Sequence, residues 1–240
     1  MSNEDQEGGF VSHLTELRKR LINSFIFLFI FFVICYLFAE HIYGFLVDPF
    51  AKAVKEDGSD RRLIFTALQE TFLTYLKVSF FTAFFVTCPF ILMQIWKFIA
   101  PGLYKNEKQA FAPFLIATPV LFMAGAAMVY YVVTPMAWGF FVSFEMGGAA
   151  GALPIELEPR ISEYLSLMMR LIFAFGLAFE LPVILLLLAR VGIVTPEGLA
   201  EKRKIAIVVA FVAAAILTPP DVISQLLLAV PIIILYELSI

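Results

Sequence analysis

Charged side chains are scarce in this sequence. Asp, Glu, Lys and Arg make up 15% of its 240 residues, whereas a soluble domain carries about 25%. Hydrophobic residues make up 61%, and the mean hydropathy is +0.91. Because the apolar runs are continuous and do not alternate with polar residues, this balance indicates a polytopic helical membrane protein and excludes a membrane β-barrel.

Cysteine and histidine are also rare. Cys35 and Cys88 both lie inside apolar runs, which argues against a disulfide framework or a CxxC metal site. His13 and His41 are far apart, without the spacing of metal ligands. We therefore expect no metal and no cofactor.

Catalytic and targeting motifs are missing as well. The sequence contains no HExxH, GxSxG, GxxxxGK[ST] or GxGxxG, and no nucleophile and base form a convincing pair. We expect that the protein is not an enzyme and that any energy for its work comes from elsewhere. Residues 1–20 are polar and lack a small-residue cleavage site, so we expect no removable signal peptide. The apolar C-terminal end suggests a trimmed chain.

Six apolar runs are separated by polar turns, which predicts an all-α fold in a single membrane domain, residues 1–240. The fifth run has only 13 residues, about 20 Å of helix, and the sixth is interrupted by Gln225, Pro231 and Glu237. Two short spans at one end predict a thinned bilayer or cover by a partner. Residues 41–54 have the pattern of an interfacial helix. The predicted spans are residues 21–38, 71–95, 111–133, 164–188, 205–217 and 222–240.

Lys and Arg are unevenly distributed between the two sides of the predicted membrane. Ten lie on the side of the N-terminus and five on the other side, while Lys77 and Arg170 lie within spans. The positive-inside rule therefore predicts that both termini are cytoplasmic. The positions of Lys77 and Arg170 have two equally good explanations: the long side chains snorkel to the interface, or they have a functional role.

Glu180 is the one charged residue in the apolar run at residues 171–188, LIFAFGLAFELPVILLLL. A charge at that depth costs at least about 2.5–3.5 kcal/mol on insertion scales, so its neighbours, water or protonation must offset the cost. It is a proton-relay acid, a contact for a partner helix, or a neutral acid hydrogen-bonded for packing. Intramembrane ionisable groups usually mark function, which slightly favours a functional role.

Two carboxylates lie among basic residues on the predicted cytoplasmic side. Glu16 precedes Arg20 by four residues, and Glu107 lies between Lys105 and Lys108. Carboxylates bind guanidinium groups in a bidentate way, so this face suits a cationic ligand. On spacing alone, however, a Glu16–Arg20 helix pair and a solvated turn around Glu107 are the simpler interpretations.

Thr218 and Gln225 lie at the turn between the last two runs. Their side chains suit hydrogen bonds to a helix of another chain, and capping of the turn is equally consistent with the spacing.

Four motifs occur in order along the chain: HLTELRKR at residues 13–20, FIAPGLYKNEK at 98–108, AFGLAFELP at 174–182 and TPPDVISQLLLAVP at 218–231. Together they resemble the TatC family, the receptor subunits of the twin-arginine protein translocase. The resemblance extends over essentially the whole chain. It implies a concave, glove-like arrangement of six helices in the bacterial cytoplasmic (inner) membrane.

The resemblance also implies a function. The chain would bind twin-arginine signal peptides of folded proteins at the cytoplasmic face, and the proton-motive force would drive their export. Its partners would be TatA- and TatB-type single-span proteins, further copies of itself and the bilayer, but no nucleic acid. The signal-peptide site would contain Glu16, Arg18, Phe98, Leu103, Tyr104, Lys105 and Glu107. The intramembrane polar and partner-binding residues would be Glu180, Thr218 and Gln225.

Two other classes of protein remain open. A proton-coupled secondary transporter of a small solute would use Glu180 as its coupling site and would show discontinuous helices in both halves. An intramembrane enzyme would need a nucleophile and a base that face each other.

Overall fold

The computed structural model describes residues 3–56, 63–103, 108–145, 157–190, 192–218 and 222–240. These residues form helices and no strand, apart from one isolated backbone bridge between Ile64 and Arg160. The predicted all-α fold is therefore confirmed. The elements are α1 (Asn3–Leu37), α2 (Ala39–Glu56), α3 (Glu70–Leu103), α4 (Lys108–Met128), a π segment (Val129–Val133), α5 (Thr134–Val142), α6 (Ile161–Phe179), α7 (Leu181–Arg190), α8 (Pro196–Glu201), α9 (Arg203–Leu217) and α10 (Val222–Leu238).

Four segments are long and apolar enough to cross a membrane: Leu14–Leu37, Glu70–Ile95, Ile116–Val142 and Ile161–Arg190. The last two apolar helices are shorter. With 15 residues in α9 and 17 in α10, they rise about 22 and 26 Å, less than the roughly 30 Å of a hydrocarbon core.

The third long segment extends further than the sequence predicted. We expected a connection to begin at residue 134, but the chain stays helical from α4 through the π segment and α5 to Val142. The N–H of Thr134 bonds to the carbonyl of Val129, one residue further back than in an α-helix. This wider turn carries the helix past Pro135, whose missing N–H falls in the first turn of α5.

One other expectation about helix continuity was also wrong. The sequence marks Cys88–Pro89 as a candidate kink in the second span, and α3 runs through it from Glu70 to Leu103, so a bend there stays a prediction. The fourth segment, predicted as one span at residues 164–188, is broken at Glu180, which lies between α6 and α7 with φ −75° and ψ −12°. Pro182 has no N–H to donate to the turn before it and crowds that turn, which accounts for the break.

The core lies around the crossing of α4 and α6. A Cβ on Gly125 would lie 2.5 Å from the carbonyl oxygen of Phe175, and one on Gly176 would lie 2.7 Å from the ring of Phe122. Both phenylalanines are fully buried. Small residues at this crossing thus let two membrane helices approach closely.

The side of the molecule opposite the N-terminus is closed by α2 and by the segments that precede α3 and α6. The hydroxyl of Tyr164 donates to the carbonyl of Leu46 at 3.1 Å, and the N–H of Ile161 donates to the carbonyl of Ile64 at 2.9 Å. These bonds tie α2 and the α3 entry to the start of α6, so that α6 is held at its end as well as along its length.

Candidate functional site

Glu16 lies on α1 and is held by Arg20, one turn further along the same helix. The Nη2 and Nε atoms of Arg20 donate to one Glu16 carboxylate oxygen at 2.5 and 3.1 Å. Its Nη1 donates to the Oε1 atom of Gln94 on α3 at 3.0 Å. The pair that the spacing suggested is thus present, and Arg20 additionally connects Glu16 to a second helix.

The Glu16 carboxylate remains open to water despite this pairing. Its side chain is 42% exposed, compared with 23% for Arg20. Arg18 is also exposed, but it lies two residues from Glu16, and residues at that spacing do not share a helix face. The structure therefore brings Glu16 together with Arg20 rather than with Arg18.

The other predicted signal-peptide residues lie at the end of α3 and beyond it. Phe98 follows Gln94 by one turn and is partly buried, so it continues the α3 face that contacts Arg20. Leu103 is the last residue of α3. Tyr104, Lys105 and Glu107 lie outside the described residues. The proximity of Glu16 and Glu107 therefore stays a prediction.

Glu180 is 3% exposed and lies among three helices. Its carboxyl interacts with the hydroxyl of Thr118 on α4 and lies within electrostatic range of the thiol of Cys88 on α3. The Oε1 atom of Glu180 and the Oγ1 atom of Thr118 are both buried without a well-formed hydrogen bond. An unsatisfied buried polar group costs about 1–3 kcal/mol. A polar group that hydrogen-bonds to either of these two atoms would therefore be stabilising.

Thr118 is the residue of this pair that the sequence did not single out. It is a fully buried hydroxyl in an otherwise apolar segment, and that isolation was the available signal. Its position opposite Glu180 depends on the α4–α6 crossing, which no local pattern encodes.

Thr218 and Gln225 make hydrogen bonds within their own helix pair. The Thr218 hydroxyl donates to the carbonyl of Ala214 at 2.8 Å, and the Gln225 side-chain amide donates to the carbonyl of Phe211 at 3.2 Å. Gln225 thus reaches from α10 to α9 and fixes the hairpin. A role in contacts with a partner chain stays a prediction.

Lys77 and Arg170 are exposed on α3 and α6 within the apolar spans. Each lies about 10–14 Å along its helix from the end opposite the N-terminal side. They are not part of the Glu16 or Glu180 clusters, and snorkelling to the interface stays a prediction for both.

The family model for the Sec-independent protein translocase protein (TatC) matches residues 12–231. The Sec-independent protein translocase protein TatC of Magnetococcus marinus is 48% identical over 236 residues, 98% of this chain and 84% of that protein. The protein of the same name from Escherichia coli strain K12 is 39% identical over 240 residues, 100% of this chain and 89% of that protein. A crystal structure of the twin arginine translocase receptor TatC superposes with a TM-score of 0.79 at 39% identity, and the match covers 95% of this chain and 96% of that one.

Proposed function

Because this chain belongs to the TatC family of Sec-independent protein translocase proteins, we propose that it is the receptor subunit of a twin-arginine translocase. It binds the twin-arginine signal peptides of folded proteins at the cytoplasmic face of the bacterial inner membrane. The observation that carries the proposal is that Glu16, at the matching position, already holds a guanidinium group and remains exposed to water.

The geometry at Glu16 supports recognition of arginine in particular. One carboxylate oxygen accepts two N–H groups from the planar fork of Arg20, an arrangement that the ammonium of lysine does not reproduce. An exposed ion pair of this kind contributes only about 0–1 kcal/mol. An arginine of the signal peptide can therefore replace Arg20 at Glu16, while Glu107 receives the second arginine.

The predicted intramembrane residues serve the steps of export that follow signal-peptide binding. Glu180 provides a buried polar contact in the membrane, and Thr218 and Gln225 on the short α9–α10 pair provide contacts for TatA- and TatB-type single-span proteins. The short helices suit this role because α9 and α10 do not extend across the full hydrocarbon core, and a partner helix can cover the neighbouring apolar surface that they leave exposed. With further copies of the chain these partners support export driven by the proton-motive force, and both termini lie in the cytoplasm.

A proton-coupled transporter is the second candidate, and one observation favours it. The α6–α7 helix is discontinuous at an intramembrane acid, as in transporters built from repeats. The first three spans, however, offer no matching break among the described residues, because α1 and α3 are continuous and the third segment stays helical through its π turn. Uptake of a small solute into liposomes that contain the purified chain would favour this alternative.

The receptor proposal is tested with the purified chain and two signal peptides that differ only in Arg-Arg against Lys-Lys. We expect binding of the Arg-Arg peptide and about five-fold weaker binding by Glu16→Gln and Glu107→Lys, since a solvent-exposed ion pair contributes up to about 1 kcal/mol. Glu197→Gln is the matched control, because Glu197 is an exposed acid on the same predicted side.

Each variant must elute as a monodisperse species before its affinity is compared. Equal affinity for the two peptides, or unchanged Arg-Arg binding by both Glu16→Gln and Glu107→Lys, would contradict the proposal.

A further inference from the structure

A large apolar groove lies between α6–α7, α9 and α10, and we call it the α9 groove. Its volume is about 460 Å³, within the roughly 300–1,000 Å³ of typical ligand sites. Apolar side chains form nearly all of its lining, and its polar members are at one end. Its defining residues are Leu177, Leu181, Ala206 and Ala213 on the walls, with Lys202 and Tyr236 at the polar end.

The apolar part of the groove is about as long as one leaflet of the hydrocarbon core is thick. Along α9 its lining extends from Ile205 to Leu217, about 18 Å of helix. Half of the roughly 30 Å hydrocarbon core is about 15 Å. The apolar part of the groove therefore matches the length that the acyl chain of a lipid occupies in a single leaflet.

A flexible hydrocarbon chain fits an apolar groove of this size without displacing its walls.

The polar end of the groove carries an available cation. Lys202 is exposed, whereas the next residue, Arg203, is engaged by Glu237 through its Nε atom at 2.9 Å. The hydroxyl of Tyr236 donates to the carbonyl of Leu199 at 2.8 Å, which fixes the Tyr236 ring as a wall of the groove mouth. A basic pocket between membrane helices on this side is complementary to an anionic lipid headgroup.

We propose that the α9 groove binds one acyl chain of an anionic phospholipid, with the phosphate of its headgroup against Lys202. The lipid belongs to the leaflet on the side of the basic turns. It closes the open face between α7 and α9, which the short α9–α10 pair leaves without a protein neighbour among the described residues.

The test uses the purified full chain in detergent and native mass spectrometry. Phosphatidylglycerol and phosphatidylcholine with identical acyl chains are titrated separately, and the occupancy of the first bound lipid is compared. We expect one phosphatidylglycerol to bind about five-fold more tightly than phosphatidylcholine, the gain that one membrane-proximal cation gives an anionic lipid.

Three variants locate the site. Lys202→Gln should remove the five-fold preference, whereas Lys204→Gln should keep it, because Lys204 is an exposed cation of the same turn outside the groove lining. Ala213→Leu projects side-chain volume into the groove and should weaken binding of both lipids.

Three results would overturn the proposal. Equal affinity of the wild-type chain for phosphatidylglycerol and phosphatidylcholine would show that the headgroup charge does not contribute to binding. An unchanged preference in Lys202→Gln, or unchanged binding in a monodisperse Ala213→Leu protein, would place the lipid elsewhere on the surface.

Discussion

Gly125 of α4 lies directly against the backbone carbonyl of Phe175 on α6, with no room for a side chain between them. This contact sets the separation of the two helices. Because they run in opposite directions, two turns back along α4 from Gly125 reaches Thr118, and just over one turn forward along α6 from Phe175 reaches Glu180. The close approach at the glycine is therefore what brings the buried hydroxyl and the buried carboxyl together.

Substitution of Gly125 should disrupt this crossing. In Gly125→Ala the new Cβ would lie 2.5 Å from the carbonyl oxygen of Phe175, and backbone atoms cannot move aside as a side chain does. We expect the free energy of unfolding to fall by about 1–3 kcal/mol, measured by thermal denaturation in detergent. Gly139→Ala is the control, because a Cβ at Gly139 has no neighbour within 4 Å. Equal stability of the two variants would contradict the role of Gly125.

Gly176 offers a test that includes its own rescue. The Cβ of Gly176→Ala would lie 2.7 Å from the Cε2 atom of Phe122, a fully buried ring. Phe122→Leu makes room, so we expect the double variant to be more stable than the sum of the single changes predicts. The coupling energy should be about 0.5–3 kcal/mol, measured by a double-mutant cycle of thermal stability. Additive effects would show that the two residues do not share this space.

The size and polarity of Glu180 should matter more than its charge. Glu180→Gln keeps the volume and a hydrogen-bonding group beside Thr118, so we expect export of a twin-arginine substrate to be largely retained. Glu180→Ala leaves a cavity and should destabilise the protein by about 2–5 kcal/mol and reduce export. Thr118→Val, with nearly the same shape, separates the contribution of the hydroxyl. Export that proceeds equally with Ala at 180 would show that the acid is dispensable.

Glu70 should hold the entry of α3 to the start of α6. Its Oε2 atom accepts the N–H of Thr66 at 2.8 Å, and its Oε1 atom accepts the hydroxyl of Ser162 at 2.6 Å. In Glu70→Ala or Ser162→Ala we expect faster hydrogen exchange of the Ile161 amide, because its bond to the carbonyl of Ile64 loses this support.

Glu163→Ala is the matched control for that experiment. Glu163 is a neighbouring acid whose contact with Arg160 is 3.6 Å long and exposed on both sides. Its loss should leave exchange at Ile161 unchanged. Unchanged exchange in Glu70→Ala as well would mean that the backbone bridge is stable without the carboxylate.

The sequence by itself determined the helical class, the apolar segments and the shortness of the last two helices. These properties follow from the hydropathy of consecutive residues, which needs no knowledge of neighbours in space. The Glu16–Arg20 pair could also be predicted from the sequence, since residues four apart lie on the same face of any helix. Glu180 stood out for the same local reason, as the single charge in a run of apolar residues.

The tertiary structure alone decided how these segments join and meet. The π turn that carries the third segment past Pro135 and the break at Glu180 depend on which backbone groups find partners in the packed chain. The bond from Arg20 to Gln94 joins residues 74 positions apart, and the contact between Gly125 and Phe175 sets the position of Thr118. Pairing between distant segments is fixed by the fit of side chains at helix crossings, and hydropathy carries no information about that fit.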